Sequence, residues 1–417
     1  MRPALILLIL TLTLAAPTLC AADAAVFDPD PAHLWNRLHR TLFTRTAHDG
    51  RTFTHEIDPL FWPTTKHLLI EPSHQRAIEV LDEFIQKDGE KLIADPLKRA
   101  LLQRDLWALF DWNAWHPDEW VRFAKHEPAS KALRERLVKL IQRLALTEAE
   151  IRALPDNYAL AVASKAYAQE RGEPTLPVDL FVPHGPWVLF SHDFEGVPVH
   201  TKAFGGRSVF FAFLNLPAGR KATEEYLRNI KREPAHIPLG TRVALVRRAV
   251  LIDTNGKLVA SNLTESVQVR AYVKDPARIA EEDRHSPGNQ LPFEFTLNRA
   301  ALFANRAGGL LPTGKEHSGF NFLPGVNGGE PFEPASDGAV RDLQGEMRNT
   351  MTDCIGCHGA IGIKSVLSVS QILEDRSNRE TPQFRAITPD IQMKGTIYFK
   401  QKRFDWGLLK GWLESRP

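Results

Sequence analysis

From about Pro31 to Ala168 the apolar residues recur at three- and four-residue steps, the period of helices that bury one stripe. Ser73–Lys87 carries Ala77, Ile78, Leu81, Phe84 and Ile85 on such a stripe. Ser130–Leu144 repeats it with Leu133, Leu137, Leu140, Ile141 and Leu144. Pro96–Trp115 adds Leu97, Ala100, Leu101, Leu106, Leu109 and Phe110, and its leading proline suits a first helical turn. Thr147-Glu148-Ala149-Glu150 matches a capping box, so another helix is expected to start there.

Beyond Leu176 the period shortens. Val188–Phe190, Ser208–Leu216, Arg242–Asp253 and Leu258–Ala260 are rich in β-branched and aromatic residues. Asn255-Gly256 between two such runs predicts a hairpin, because both residue types tolerate positive φ. In Thr264–Val273 the residues Val267, Val269, Ala271 and Val273 alternate with polar partners, as a half-buried strand would. A helix is expected near Ala222–Lys231. Residues 308–338 are crowded with Gly and Pro, which marks a long loop or linker.

These textures predict an α+β multidomain chain. Its parts are a helical domain over 25–172, a β-rich domain over 173–307, a linker over 308–335 and a small domain over 336–417. The first 24 residues stand apart. Arg2 precedes an apolar run from Ala4 to Ala16, then small residues, the pattern of a cleaved secretory signal. The run is short for a membrane span, and no other stretch is long and apolar enough, so the mature chain is expected to lack a transmembrane segment.

Charge narrows the field further. The 417 residues hold 52 Lys plus Arg against 50 Asp plus Glu, a net charge of +2, so the basic footprint of a nucleic-acid binder is missing. Of three cysteines, Cys20 is expected to leave with the signal, which rules out a disulfide-stapled scaffold. The other two fall in one motif.

Cys354-Ile355-Gly356-Cys357-His358 has the spacing of c-type haem attachment. Two thiols three positions apart on a helical turn can each form a thioether to a porphyrin vinyl group, and the adjacent imidazole can reach the iron as proximal ligand. A dithiol redox site also uses C-x-x-C, but it usually opens a helix after a strand, and here a helical stripe (Val340, Leu343, Met347) precedes it. A zinc site needs two further ligands, and no second C-x-x-C exists. The segment Cys354–Gly362 resembles the haem-binding turn of the class I cytochrome c family, and Phe404–Ser415 looks like that family's closing helix. The resemblance covers about Ser336–Pro417 and implies an all-α, cytochrome c-like haem domain with one covalent haem c, attached outside the bacterial cytoplasmic membrane. A periplasmic address agrees with the leader.

The sixth ligand separates the chemistries, since a Met opposite the His suits electron transfer and an open position suits ligand or peroxide chemistry. Met347 and Met351 precede the motif on the proximal side. Met393, 35 residues past His358, occupies a stretch comparable to the family's distal-Met loop and is the candidate, with a buried apolar contact as the alternative. His317 is the next candidate. His184, His192 and His200 recur eight apart; a copper or non-haem iron site would need them to converge, whereas histidines in strands more often hydrogen-bond at the surface. Trp112, Trp115 and Trp120 with His116 form an aromatic patch suited to packing, and Asp193 with Glu195 carries no acid–base signature.

The reading that follows is an exported mono-haem c-type cytochrome that transfers single electrons with a redox partner protein or a small-molecule donor or acceptor. Two others stay open. A haem-dependent peroxidase, oxidase or dehydrogenase would bind substrate in the upstream regions, and a haem-bearing sensor or assembly subunit would bind a partner there.

Overall fold

The helical stripes fold as their spacing predicts. A computed structural model of the chain describes residues 26–46, 52–53, 67–114, 126–167, 175–191, 199–229, 237–273, 290–313, 366 and 384–414. The first helices are α1 (Leu34–Phe43), α2 (Ser73–Gln86), α3 (Pro96–Trp112), α4 (Glu127–Arg143), α5 (Glu148–Ala153) and α6 (Asn157–Ala163), with a short ribbon of β1 (Arg45–Thr46) and β2 (Thr52–Phe53) after α1. Asp95 caps α3 by accepting from the Leu97 and Lys98 amides, with Pro96 in the first turn. Both bonds of the predicted capping box form at Thr147 and Glu150.

The second half builds one antiparallel sheet. Its strands are β3 (Val188–Ser191), β4 (Ser208–Asn215), β5 (Arg242–Ile252), β6 (Leu258–Tyr272), β7 (Gln290–Leu297), β8 (Leu310–Pro312) and β9 (Arg385–Ala386), in the order β8-β7-β6-β5-β4-β3-β9. Helices α7 (Val199–Ala203), α8 (Arg220–Asn229) and α9 (Arg299–Phe303) lie between strands in the sequence. The Asn255-Gly256 hairpin joins β5 to β6, with Gly256 alone of the pair at positive φ. The Asp253 carboxylate accepts from the Asn255 and Lys257 amides at 2.9 and 2.7 Å and closes the turn. The two runs 258–260 and 264–273 merge into the single long β6, which is kept continuous by irregular pairing near Arg248.

Helices and sheet share a core. Every residue of α3 from Ala100 to Trp112 is buried. Two amides stitch the layers by imitating backbone. Gln103 donates to Ile252 O (2.8 Å) and accepts from Ile252 N (3.1 Å), while Asn157 does the same at Thr264 (2.9 and 2.6 Å). Gly308, at φ 59°, sits so close to α6 that a Cβ there would collide with Asn157 O, so the turn entering β8 needs glycine.

The end of the chain overturns the expected architecture. Residues 310–312, expected in a linker, pair with β7 on one edge of the sheet, and residues 385–386 pair with β3 on the other. Helices α10 (Pro389–Gln401) and α11 (Phe404–Glu414) follow. They do not close a separate all-α cytochrome c-like domain. Trp406 meets Trp107 of α3 edge-on at 6.0 Å and Trp412 meets Phe110 at 6.1 Å. Trp406 and Leu409 belong to the same buried core as α1–α4 and the sheet. The physical reason is partner choice: the aromatic face of α11 that could cover a haem helix is spent on α3.

A buried charge cluster fixes this docking. Lys400, fully buried, donates to Asp111 of α3 (2.5 Å) and to Asp405 (2.9 Å). Arg207, beside β4, also donates to Asp111 (2.5 Å), and Arg403 to Asp405 (2.8 Å). Burial and the nearby Asp405 charge push the Asp111 carboxyl up, whereas Lys400 and Arg403 hold Asp405 below its usual range despite burial. Gly206, at φ 75°, lets the Lys400 stem approach to a distance where a Cβ would sit 2.9 Å from it. Among the described residues no helix is long and apolar enough to cross a membrane.

Candidate functional site

Strand alternation gives the sheet two unlike faces. Val209, Phe211 and Phe213 of β4, with Ala244 and Val246 of β5 and Val267 of β6, join the helices in the main core. The other face carries Phe210 of β4, Arg247 of β5, Ser266, Gln268 and Arg270 of β6, and Glu294 of β7. Ser266, Gln268 and Arg270 are the polar partners of the alternation in 264–273, and this face is largely withdrawn from solvent: Ser266 is 7%, Arg270 9% and Glu294 6% exposed. A polar face that is buried must satisfy its groups internally.

It does so largely across strands. Gln268 donates to Glu294 (3.0 Å), directly opposite in register, and Arg270 donates to Gln290 (3.2 Å). Ser208 donates to Glu265 (2.6 Å), which is ion-paired to Arg104 of α3. The Arg104 and Arg247 charges hold the Glu265 carboxyl below its usual range although burial works against them. The Arg247 Nε is ion-paired to the same carboxylate at 3.4 Å. Its guanidinium covers the Phe204 ring at 4.8 Å, a favourable stacking for arginine.

Aromatic rings line the same patch. Phe204 packs on Phe210 at 5.1 Å, and His200 of α7 lies 5.5 Å from Phe210 in a tilted stack. Burial, reinforced by the Arg270 charge, lowers the His200 imidazole to about 4, so it is neutral at pH 7. Next to this patch is a second apolar cluster containing Phe190, Leu214, Val243 and Tyr272, to which Val366 and Phe384 belong.

The residues that the sequence singled out are distributed as follows. Cys354, Cys357 and His358 lie outside the described residues, as do Met347, Met351, His317, His192, Asp193, Glu195, Trp115, His116 and Trp120. Met393 is not in a loop. It is in the second turn of α10, half-buried against the main core with Ile397. His184 is in a turn at φ 60°, apart in sequence and setting from His200. Trp112 ends α3 with Arg207 stacked 5.8 Å above it, which is packing. Among the described residues no three His, Cys, Asp or Glu side chains converge as a metal centre. Comparison with protein-family models, curated proteins and solved structures finds no match.

The donor set of the motif, two thiols and an imidazole in five residues, fits a covalent haem.

Proposed function

We propose that this chain is an exported mono-haem c-type cytochrome whose task is one-electron transfer. The observation that carries it is Cys354-Ile355-Gly356-Cys357-His358. In this reading Cys354 and Cys357 fasten the macrocycle through thioethers and His358 supplies the proximal imidazole. A haem held this way supplies an Fe(III)/Fe(II) couple. The apolar leader from Ala4 to Ala16 supports export to the compartment where such attachment is made. Met393, in α10 and partly buried against the main core, is the candidate distal ligand.

The test is production of the full chain in a host with c-type haem maturation, followed by acid–acetone extraction and a pyridine haemochrome spectrum. One haem per chain is expected to stay with the protein. The double variant Cys354→Ser/Cys357→Ser is expected to release all of it. A wild-type chain that keeps no pigment through the extraction sinks the proposal.

A further inference from the structure

The cluster that docks α10 and α11 on α3 presses an amine against a carboxyl group inside the core. The side chain of Lys400 is 0% exposed, that of Asp111 2% and that of Asp405 4%. The Lys400 Nζ lies 2.5 Å from Asp111 Oδ2, so it is at most about 3.7 Å from the carboxyl carbon, close to a near-attack separation. The two oxygens of Asp111 are unlike. Oδ2 accepts from both Lys400 and Arg207, whereas the buried Oδ1 has no hydrogen-bond partner among the described residues.

A carboxylate with one oxygen bare in the core is poorly compensated, and a proton on Oδ1 leaves less charge uncovered. The direction of titration agrees, since burial and the Asp405 charge push the Asp111 carboxyl up. Asp405 behaves oppositely. It accepts from Lys400 at Oδ1 (2.9 Å) and from Arg403 at Oδ2 (2.8 Å), and these cations hold it below its usual range. One amine thus stands between an acid suited to acylation and a carboxylate suited to take a proton. The Trp107 ring, 5.1 Å from the Lys400 Nζ, covers the apolar side.

We propose that Lys400 Nζ and Asp111 Cγ join in an intramolecular amide, with Asp405 as the proton acceptor, so that α10 is covalently tied to α3. The Lys400 ammonium gives one proton to Asp405, and the free amine attacks Asp111 Cγ. Charge developing on Oδ2 is met by Arg207. The Cγ–Oδ1 bond then breaks, and Oδ1 leaves as water with the proton it carried and a second proton from the nitrogen. The third nitrogen proton stays on the amide, and no electrons change hands. The product replaces a buried ammonium, costly to withdraw from water, by a neutral group. The reaction uses no cofactor and is independent of the haem reading.

The test is tryptic peptide mapping of the purified full chain by mass spectrometry after denaturation. The expected product is a branched peptide joining residues 105–122 to residues 395–402, lighter than the two together by one water and uncleaved at Lys400. Lys400→Arg keeps the charge and is expected to give separate peptides with no loss of water. Asp405→Asn keeps both reacting groups and is expected to leave most chains unlinked. A wild type that yields only the separate peptides overturns the proposal, whether or not the variants fold. A water-loss link to residues 105–122 that persists in Lys400→Arg overturns it as well. Full cross-linking in Asp405→Asn overturns the role given to Asp405.

Discussion

The two faces of the central sheet carry the same strands and opposite chemistry. On one face Phe211, Val246 and Val267 meet the helices in an apolar core whose stability follows from area removed from water. On the other Arg247, Gln268, Arg270 and Glu294 are also largely withdrawn from water, and there the favourable terms are cross-strand hydrogen bonds and ion pairs offset by desolvation. Burial on the first face specifies the fold. Burial on the second adds little net stability.

The largest effect expected from this contrast is on the apolar face. Phe211→Ala removes a side chain that is 1% exposed and should lower unfolding free energy by about 3–5 kcal/mol in chemical denaturation. A loss below about 1 kcal/mol would mean that this face is not the stabilising one.

A smaller effect, confined to acid, is expected on the charged face. The His200 imidazole falls from 6.5 in the unfolded chain to about 4 in the folded one. Between those values the unfolded state binds the extra proton, so stability declines as pH drops from 6.5 and the decline is complete below 4, on the order of 3 kcal/mol. His200→Gln should flatten the stability profile in that window. Buried His39, lowered by burial and then by the Arg299 charge, contributes in the same direction and remains in the variant.

The smallest effect sharpens the comparison within the charged face. A double-mutant cycle on Gln268→Ala and Glu294→Ala should return a coupling of no more than about 1 kcal/mol, as for other cross-strand pairs. A coupling several times larger would mark the pair as a structural keystone and not a tolerant polar contact.

Much of this was legible in the residues. The stripes of 73–87 and 130–144, the capping box at Thr147 and the hairpin at Asn255-Gly256 are local signals, and they appear as local structure. Alternation in 264–273 correctly divided β6 into two kinds of side chain. It could not tell that the polar kind is covered, since polarity reports what a position tolerates and not what lies over it. Helix α10 had a readable start in Thr388 as cap and Pro389 in the first turn, yet the resemblance to a haem-domain loop outweighed it. The docking of α10 and α11 was out of reach of any local pattern. Asp111 and Lys400 lie 289 residues apart, and only the fold makes them a pair.

The stretch that bears both thiols departs from β8 and comes back at β9, opposite margins of a seven-stranded sheet separated by about 29 Å. It is therefore a handle riveted at both ends and not a pendant. One cut in a pendant sheds its cargo. One cut in this handle leaves both stubs anchored, the far one by the Lys400–Asp111 pair, and whatever the cysteines hold stays with the scaffold.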